Sequence, residues 1–181
     1  MKSLISTSFM LLFVWAISLT GVSAQTEFPK LDKSPADLAF LVVDKQPMAK
    51  VVYSRPAKNG RTIFGELVPF GDVWRTGANE ATEITFMSDA KFGGKDVKAG
   101  SYSLFTIPGK DSWTIILSNQ TNVWGAYNYD ESKDALRVEV PVAKTDMTVE
   151  NFSIMFTDRA KKSNLVLAWD DTMVKIPVEV M

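Results

Sequence analysis

The sequence predicts an all-β fold, a single jelly-roll-like β-sandwich, and three observations predict it. Apolar residues recur at every second position in several short runs, as where Leu136, Val138 and Val140 interleave with Arg137 and Glu139. Those runs favour Val, Ile, Thr, Phe and Trp, side chains that fit a pleated, half-buried surface. Gly, Pro and Asp-Asp turns interrupt them about every 8–12 residues, the spacing of short antiparallel strands.

Taken in order, residues 38–43 form a short apolar run expected as a first strand, although Ala and Leu leave a helix open. Residues 48–54 are expected as the second strand, after which Arg55-Pro56 and Asn59-Gly60 punctuate the chain into a loop. Residues 82–87 alternate, with Ile84 and Phe86 facing one side and Glu83 and Thr85 the other. Phe92-Gly93-Gly94-Lys95 has the composition of a hairpin turn and Lys98-Ala99-Gly100 of another turn. Strands are expected over 101–107, ended by Pro108-Gly109, and over 113–117, closed by Ser118-Asn119-Gln120. Four alternating runs follow, at 136–140, 152–156, 165–169 and 174–180. No repeat, low-complexity segment or internal linker divides them. Residues 37–181 therefore read as one domain behind an extended, polar lead-in at 25–36.

The first residues belong to a different class. Lys2 supplies a positive charge, residues 4–20 are largely apolar, and Val22-Ser23-Ala24 is a small-x-small cleavage pattern. The run carries Ser6, Ser8, Ser18 and Thr20, whereas a spanning helix needs about 20 strongly apolar residues. Residues 1–24 are read as a cleaved export signal, with an uncleaved anchor as the alternative. The protein is expected in the periplasm or fully secreted, with no membrane contact once the signal is removed.

Composition excludes several chemistries. The chain has no Cys, so the exported domain holds together by its apolar core and not by disulfides. It has no His, which removes Ser-His-Asp and Cys-His nucleophiles, imidazole acid–base work and the ordinary zinc site. Any metal would be a hard ion on oxygen ligands. The acidic pairs Asp130-Glu131 and Asp170-Asp171 lack calcium-loop spacing and are explained as turn residues, so no metal and no cofactor is expected. A formal charge of −1 gives no electrostatic case for nucleic acid or an anionic membrane.

Tyr53-Ser54-Arg55-Pro56, Gly60-Arg61, Ile63-Phe64-Gly65, Val68-Pro69 and the run Val73-Trp74-Arg75-Thr76-Gly77-Ala78-Asn79-Glu80-Ala81-Thr82 carry a family resemblance. So do Ala99-Gly100, Tyr102-Ser103-Leu104-Phe105-Thr106-Ile107-Pro108, Trp113-Thr114, Trp124 and Leu136-Arg137-Val138. With these motifs the sequence resembles the domain of unknown function 2911 family, found mostly in exported bacterial proteins. The resemblance covers nearly the whole chain after the signal. It implies a secreted or periplasmic β-sandwich and brings no activity with it. Phe70 departs from the pattern, standing where the family often has Tyr, at the cost of a hydroxyl.

Residues 70–82 also concentrate the candidate chemistry. Gly77 lets the chain reverse, which brings Arg75 toward Glu80, and Asn79 can bond backbone or present its amide outward. As a site, Trp74 is a stacking face and Arg75, Asn79 and Glu80 are polar hooks, the mixture that binds sugars and peptides. As a structural plug, Trp74 fills the end of the sandwich and Arg75 pairs with Glu80 or Asp72. Arg55, Arg61 and Arg137 would form a cationic pocket if they converged with Arg75, and otherwise are surface or ion-paired side chains. Trp124, Tyr127 and Tyr129 sit beside Gly125, Asn128 and Asp130 in a stretch expected as a loop, as a ligand platform or as rings that cap the core edge.

Three functions follow from these readings. The leading one is a non-enzymatic binder of a small polar ligand, glycan or peptide, using Arg55, Arg61, Trp74, Arg75, Asn79, Glu80 and Trp124. The second is a carboxylate-dependent glycan hydrolase with Glu80 as acid or base, paired with Asp130 or Asp134. The third is a structural or assembly domain. The first two expect Arg75 and Glu80 accessible at a pocket; the third expects them buried and paired.

Overall fold

The structure is a computed structural model that describes residues 28–181; the expected export signal and the start of the lead-in lie outside the described residues. Nine strands follow in chain order: β1 Ala36–Val43, β2 Gln46–Ser54, β3 Thr82–Phe86, β4 Ala90–Phe92, β5 Lys95–Val97, β6 Gly100–Ile107, β7 Ser112–Ser118, β8 Asp134–Phe156 and β9 Lys162–Val180. Every pairing is antiparallel, in the order β1-β2-β3-β6-β7-β8-β9-β4-β5.

The sheet folds over on itself. Three strands separate β2 from β8 in the sheet order. Even so, the Tyr53 hydroxyl of β2 donates to the Ile154 carbonyl of β8 at 3.3 Å. The Tyr53 and Phe152 rings meet edge to face at 5.9 Å. Strand β8 makes this possible. Its first part, up to Pro141, pairs with β7, and its remainder, from Val142, pairs with β9, so one strand serves both layers.

Here the structure corrects the sequence reading. The runs at 136–140 and 152–156 are two parts of β8, and those at 165–169 and 174–180 two parts of β9. The interruptions are bends within strands. Residues 145–148 of β8 stand opposite Asp171 alone, between the Lys144–Thr172 and Val149–Asp170 pairs. Asp170 has φ +57°, a conformation that an Asp tolerates and that bends the strand without ending it.

Between the layers lies one apolar core. Leu41, Val51, Ile84 and Phe86 enter it from one layer, and Leu167, Val174 and Ile176 from the other. Burial alternates in β3, where Thr82, Ile84 and Phe86 are buried while Glu83 and Thr85 are not, whereas residues 102–106 of β6 and 115–118 of β7 are buried on both faces. At one end, five rings interlock. Trp74 stacks on Trp169 at 6.0 Å with 17° between planes, and Phe64, Trp113 and Phe152 meet them edge-on. Such pairs each contribute about 0.5–1.5 kcal/mol beyond the area they bury.

Trp169 is 1% exposed and touches three of these rings, Phe64, Trp74 and Phe152, so Trp169→Ala should destabilise the protein by about 3–5 kcal/mol. Trp124, 67% exposed, should change stability by no more than about 0.5 kcal/mol when replaced by Ala. Denaturant unfolding of both variants checks the contrast.

Candidate functional site

Residues 70–82 form a short arm laid along the end of β6. The Trp74 N–H donates to the Thr106 carbonyl at 2.7 Å and the Thr106 N–H returns to the Trp74 carbonyl at 3.0 Å. This pairing sends the indole inward, where Nε1 donates to the Gly77 carbonyl at 3.1 Å. The chain then reverses through Thr76 at φ +57° and Gly77 at φ +156°. A Cβ on Gly77 would stand 3.0 Å from the Ser54 carbonyl oxygen and 3.3 Å from Thr82 Oγ1, so the reversal needs glycine. The returning strand is locked by the Thr82 N–H donating to the Arg75 carbonyl at 3.1 Å and the Thr82 hydroxyl to the Thr76 carbonyl at 2.6 Å.

With Trp74 inward, Arg75 comes to lie opposite Phe105 on the outer face of the sheet, as the Trp74–Thr106 pairing requires. Its Nε is buried without a hydrogen-bond partner, and among the described residues the guanidinium makes no ion pair with Glu80 or Asp72. The expected plug thus holds for the Trp74 ring and not for the polar side chains that follow it. Asn79, at φ +57°, donates its amide to Asp32 Oδ1 at 3.1 Å.

A second segment pairs with this arm on its outer side. The Ala81 N–H donates to the Val123 carbonyl at 3.0 Å and the Gly125 N–H to the Asn79 carbonyl at 3.2 Å, which sets Glu80 against Trp124. Beneath the segment, Ala81, Phe105 and Ile116 form a small outer core with Val123, Ala126 and Tyr129 packed on it. Tyr129 meets Phe105 edge-on at 5.1 Å. Its hydroxyl donates to Asp134 Oδ2 at 2.6 Å and accepts from Arg137 at 2.6 Å, and Arg137 Nε also binds that carboxylate oxygen at 2.6 Å. Tyr127, on the same segment, is 80% exposed.

Between this segment and β3 runs a cleft of about 410 Å³ lined by Val52, Glu80, Ala81, Glu83, Asn122, Val123 and Trp124. Glu80 is exposed, Glu83 half-buried, and neither makes a side-chain hydrogen bond or ion pair among the described residues. The Trp124 ring stands largely in solvent beside them. Arg75, Glu80 and Trp124 therefore belong to one region of the surface.

The other arginines do not join them, so the cationic pocket does not form. Arg55, just past the end of β2, clamps two strands: it binds Asp37 of β1 at 2.8 Å, and Ser153 Oγ and the Phe152 carbonyl of β8 at 2.9 and 3.2 Å. Arg61 donates to the Lys58 carbonyl at 2.9 Å and to the Ala57 carbonyl, closing its own loop. Arg137 is held by Tyr129, Asp134 and Glu131. The carboxylates weighed as partners for Glu80 are also engaged elsewhere. Asp134 holds Tyr129 and Arg137, and Asp130 caps the 3-10 turn Glu131–Lys133 by accepting from the Ser132 N–H at 2.9 Å. The carboxylate that does share the cleft is Glu83. Sequence placed it outward on β3, but its position beside Glu80 and Trp124 depends on the pairing of residues 79–81 with 123–125.

A cleft of about 400 Å³ elsewhere is lined by Phe64, Phe70, Lys110, Lys144, Asp170 and Asp171 among others. Its aspartates are tied to Lys58 at 2.6 Å and Lys144 at 2.7 Å, so the acidic pair there serves the bend in β9.

Burial, with the hydrogen bond to Asp134, pushes the Tyr129 phenol up to about 12 from its ordinary 10. Folding thus favours the neutral phenol. This contribution is complete below pH 10 and is lost as pH rises through about 12. Ultraviolet titration should show a tyrosinate step near 12 that disappears in Tyr129→Phe, and the variant should lose less stability than the wild type across that window. Gly77→Ala, which forces a Cβ against Ser54 and a side chain into a glycine conformation, should cost at least about 1 kcal/mol in the same unfolding assay.

Comparison with curated proteins gives no match, and comparison with solved structures gives none either. Residues 34–178, from just before β1 to near the end of β9, match the model of the family described as Protein of unknown function (DUF2911), and the chain belongs to that family.

Proposed function

We propose that the protein is an exported, non-enzymatic binding module whose ligand, a small polar molecule, glycan or peptide, occupies the cleft between β3 and residues 122–125. One observation carries this reading. The fold engages Arg55, Arg61, Arg137, Asp134, Asp170 and Asp171 in ion pairs or hydrogen bonds, whereas among the described residues Glu80 and Glu83 remain without partners beside the exposed ring of Trp124. An open indole next to directional acceptors combines apolar stacking area with oriented hydrogen bonding, as ligand sites do. Arg75, a cation with its Nε unpartnered, stands on the same outer face.

Glu83 also gives the hydrolase reading a specific footing, because two carboxylates line one cleft. The two readings separate on one variant. Glu80→Gln abolishes turnover with binding retained in a hydrolase, and it weakens binding with no turnover to lose in a binder.

A thermal-shift screen of the protein against oligosaccharides, short peptides and organic acids tests the proposal. A ligand at 100 times its Kd adds about 2.7 kcal/mol of stability. Trp124→Ala and Glu80→Gln should keep the unliganded melting point and weaken the ligand at least about tenfold, or 1.4 kcal/mol. A ligand whose shift persists unchanged in both variants would place binding outside this cleft and end the proposal.

A further inference from the structure

The cleft does not stop at its walls. Strand register sets Leu38 of β1 opposite Val52 of β2, and Val52 opposite Glu83 of β3. Residues directly opposite in antiparallel strands share a face, so the three side chains form one row on the outside of the sheet. Val52 and Glu83 already line the cleft. Neighbouring strands lie about 4.8 Å apart, which puts Leu38 about 10 Å from Glu83 across the sheet. In the adjacent row, Phe40 stands opposite Lys50, and Lys50 opposite Thr85. Leu38 and Phe40 are 53% and 46% exposed. Single exposed apolar side chains are ordinary on protein surfaces; these two continue the floor of a cleft that ends in two unpartnered carboxylates and an exposed indole.

We propose that the outer face of β1, β2 and β3 is a peptide-docking surface, with the Glu80–Glu83–Trp124 cleft receiving a Lys or Arg side chain and Leu38 and Phe40 receiving the apolar residues beside it. The inference rests on the cleft reading above and names its ligand class. Charge complementarity selects the occupant. Among the described residues Glu80 and Glu83 make no ion pair, with Arg75 or any other cation, and an indole face beside carboxylates attracts an ammonium or guanidinium group. Neutral sugars do not offer that charge. Lys50 is the one cation in the two rows, and among the described residues it makes no ion pair, leaving an acceptor on the peptide to meet it. The geometry favours lying on the face over adding a strand at the β1 edge. The Leu38 N–H is already taken by Asp37 Oδ1 at 2.7 Å, and Asp37 is in turn held by Arg55.

Selection of displayed random octapeptides on the immobilised protein tests this, followed by calorimetry of the enriched peptide. Enriched sequences should place Lys or Arg next to apolar residues. The Glu80→Gln/Glu83→Gln double variant should weaken the peptide at least about tenfold and flatten its salt dependence. Leu38→Ser/Phe40→Ser should weaken it several-fold with the salt dependence kept, and all variants should melt with the wild type. Enrichment of sequences without a basic residue, or affinity indifferent to either double variant, overturns the inference. If oligosaccharides bind the cleft while no peptide is enriched, the docking surface falls and the cleft reading stands. If neither class binds, both fall.

Discussion

Trp74 reaches the core from a loop and Trp169 from the middle of β9, and their near-parallel contact ties the signature segment to the two-layered sheet. The consequences run outward along the chain. Once the Trp74 ring is buried and its backbone paired with Thr106, the next side chain must emerge on the outer face. The reversal at Gly77 then has no freedom left, because the Ser54 carbonyl occupies the space a side chain would need. Residues 79–81 are delivered to the outside of the sheet, and residues 123–125 hydrogen-bond to them there. An interior stacking contact thus determines where surface carboxylates sit.

This arrangement separates polar residues by the company they keep. Arg55, Arg61 and Arg137 each bind two or more partners that hold strands or loops in place. The Tyr129–Asp134–Arg137 group anchors the segment that carries Trp124 over Phe105 and Ile116. It therefore supports the cleft from below while its own groups are occupied. Among the described residues Arg75, Glu80 and Glu83 lack such obligations.

Much of the strand pattern was legible because burial follows period two, and β3 shows this side chain by side chain. The hairpin at Gly93-Gly94 was legible for a different reason, since both glycines have positive φ, at +59° and +82°. The joining of runs into β8 and β9 was not, because bends and turns share the same residues: Asp170-Asp171 marks a bend inside a strand. The fate of the arginines was equally hidden. Arg55 finds its partners 97 and 98 residues away on β8, and no local pattern encodes that meeting. Trp74 and Trp124 looked alike as aromatic candidates, yet one is 8% and the other 67% exposed, because backbone pairing decides which ring turns inward.

Strand β8 has one last implication. It hydrogen-bonds β7 through its first part and β9 through the rest, so neither layer can peel away without removing a strand from its neighbour. Local opening in such a molecule cannot stay local for long. The backbone amides of both layers are expected to exchange with solvent through a shared, near-global event, with fraying confined to short outer strands such as β5 and to the unpaired stretch around residues 145–148. The face bearing Leu38, Val52 and Glu83 thereby rests on strands that open only with the molecule as a whole.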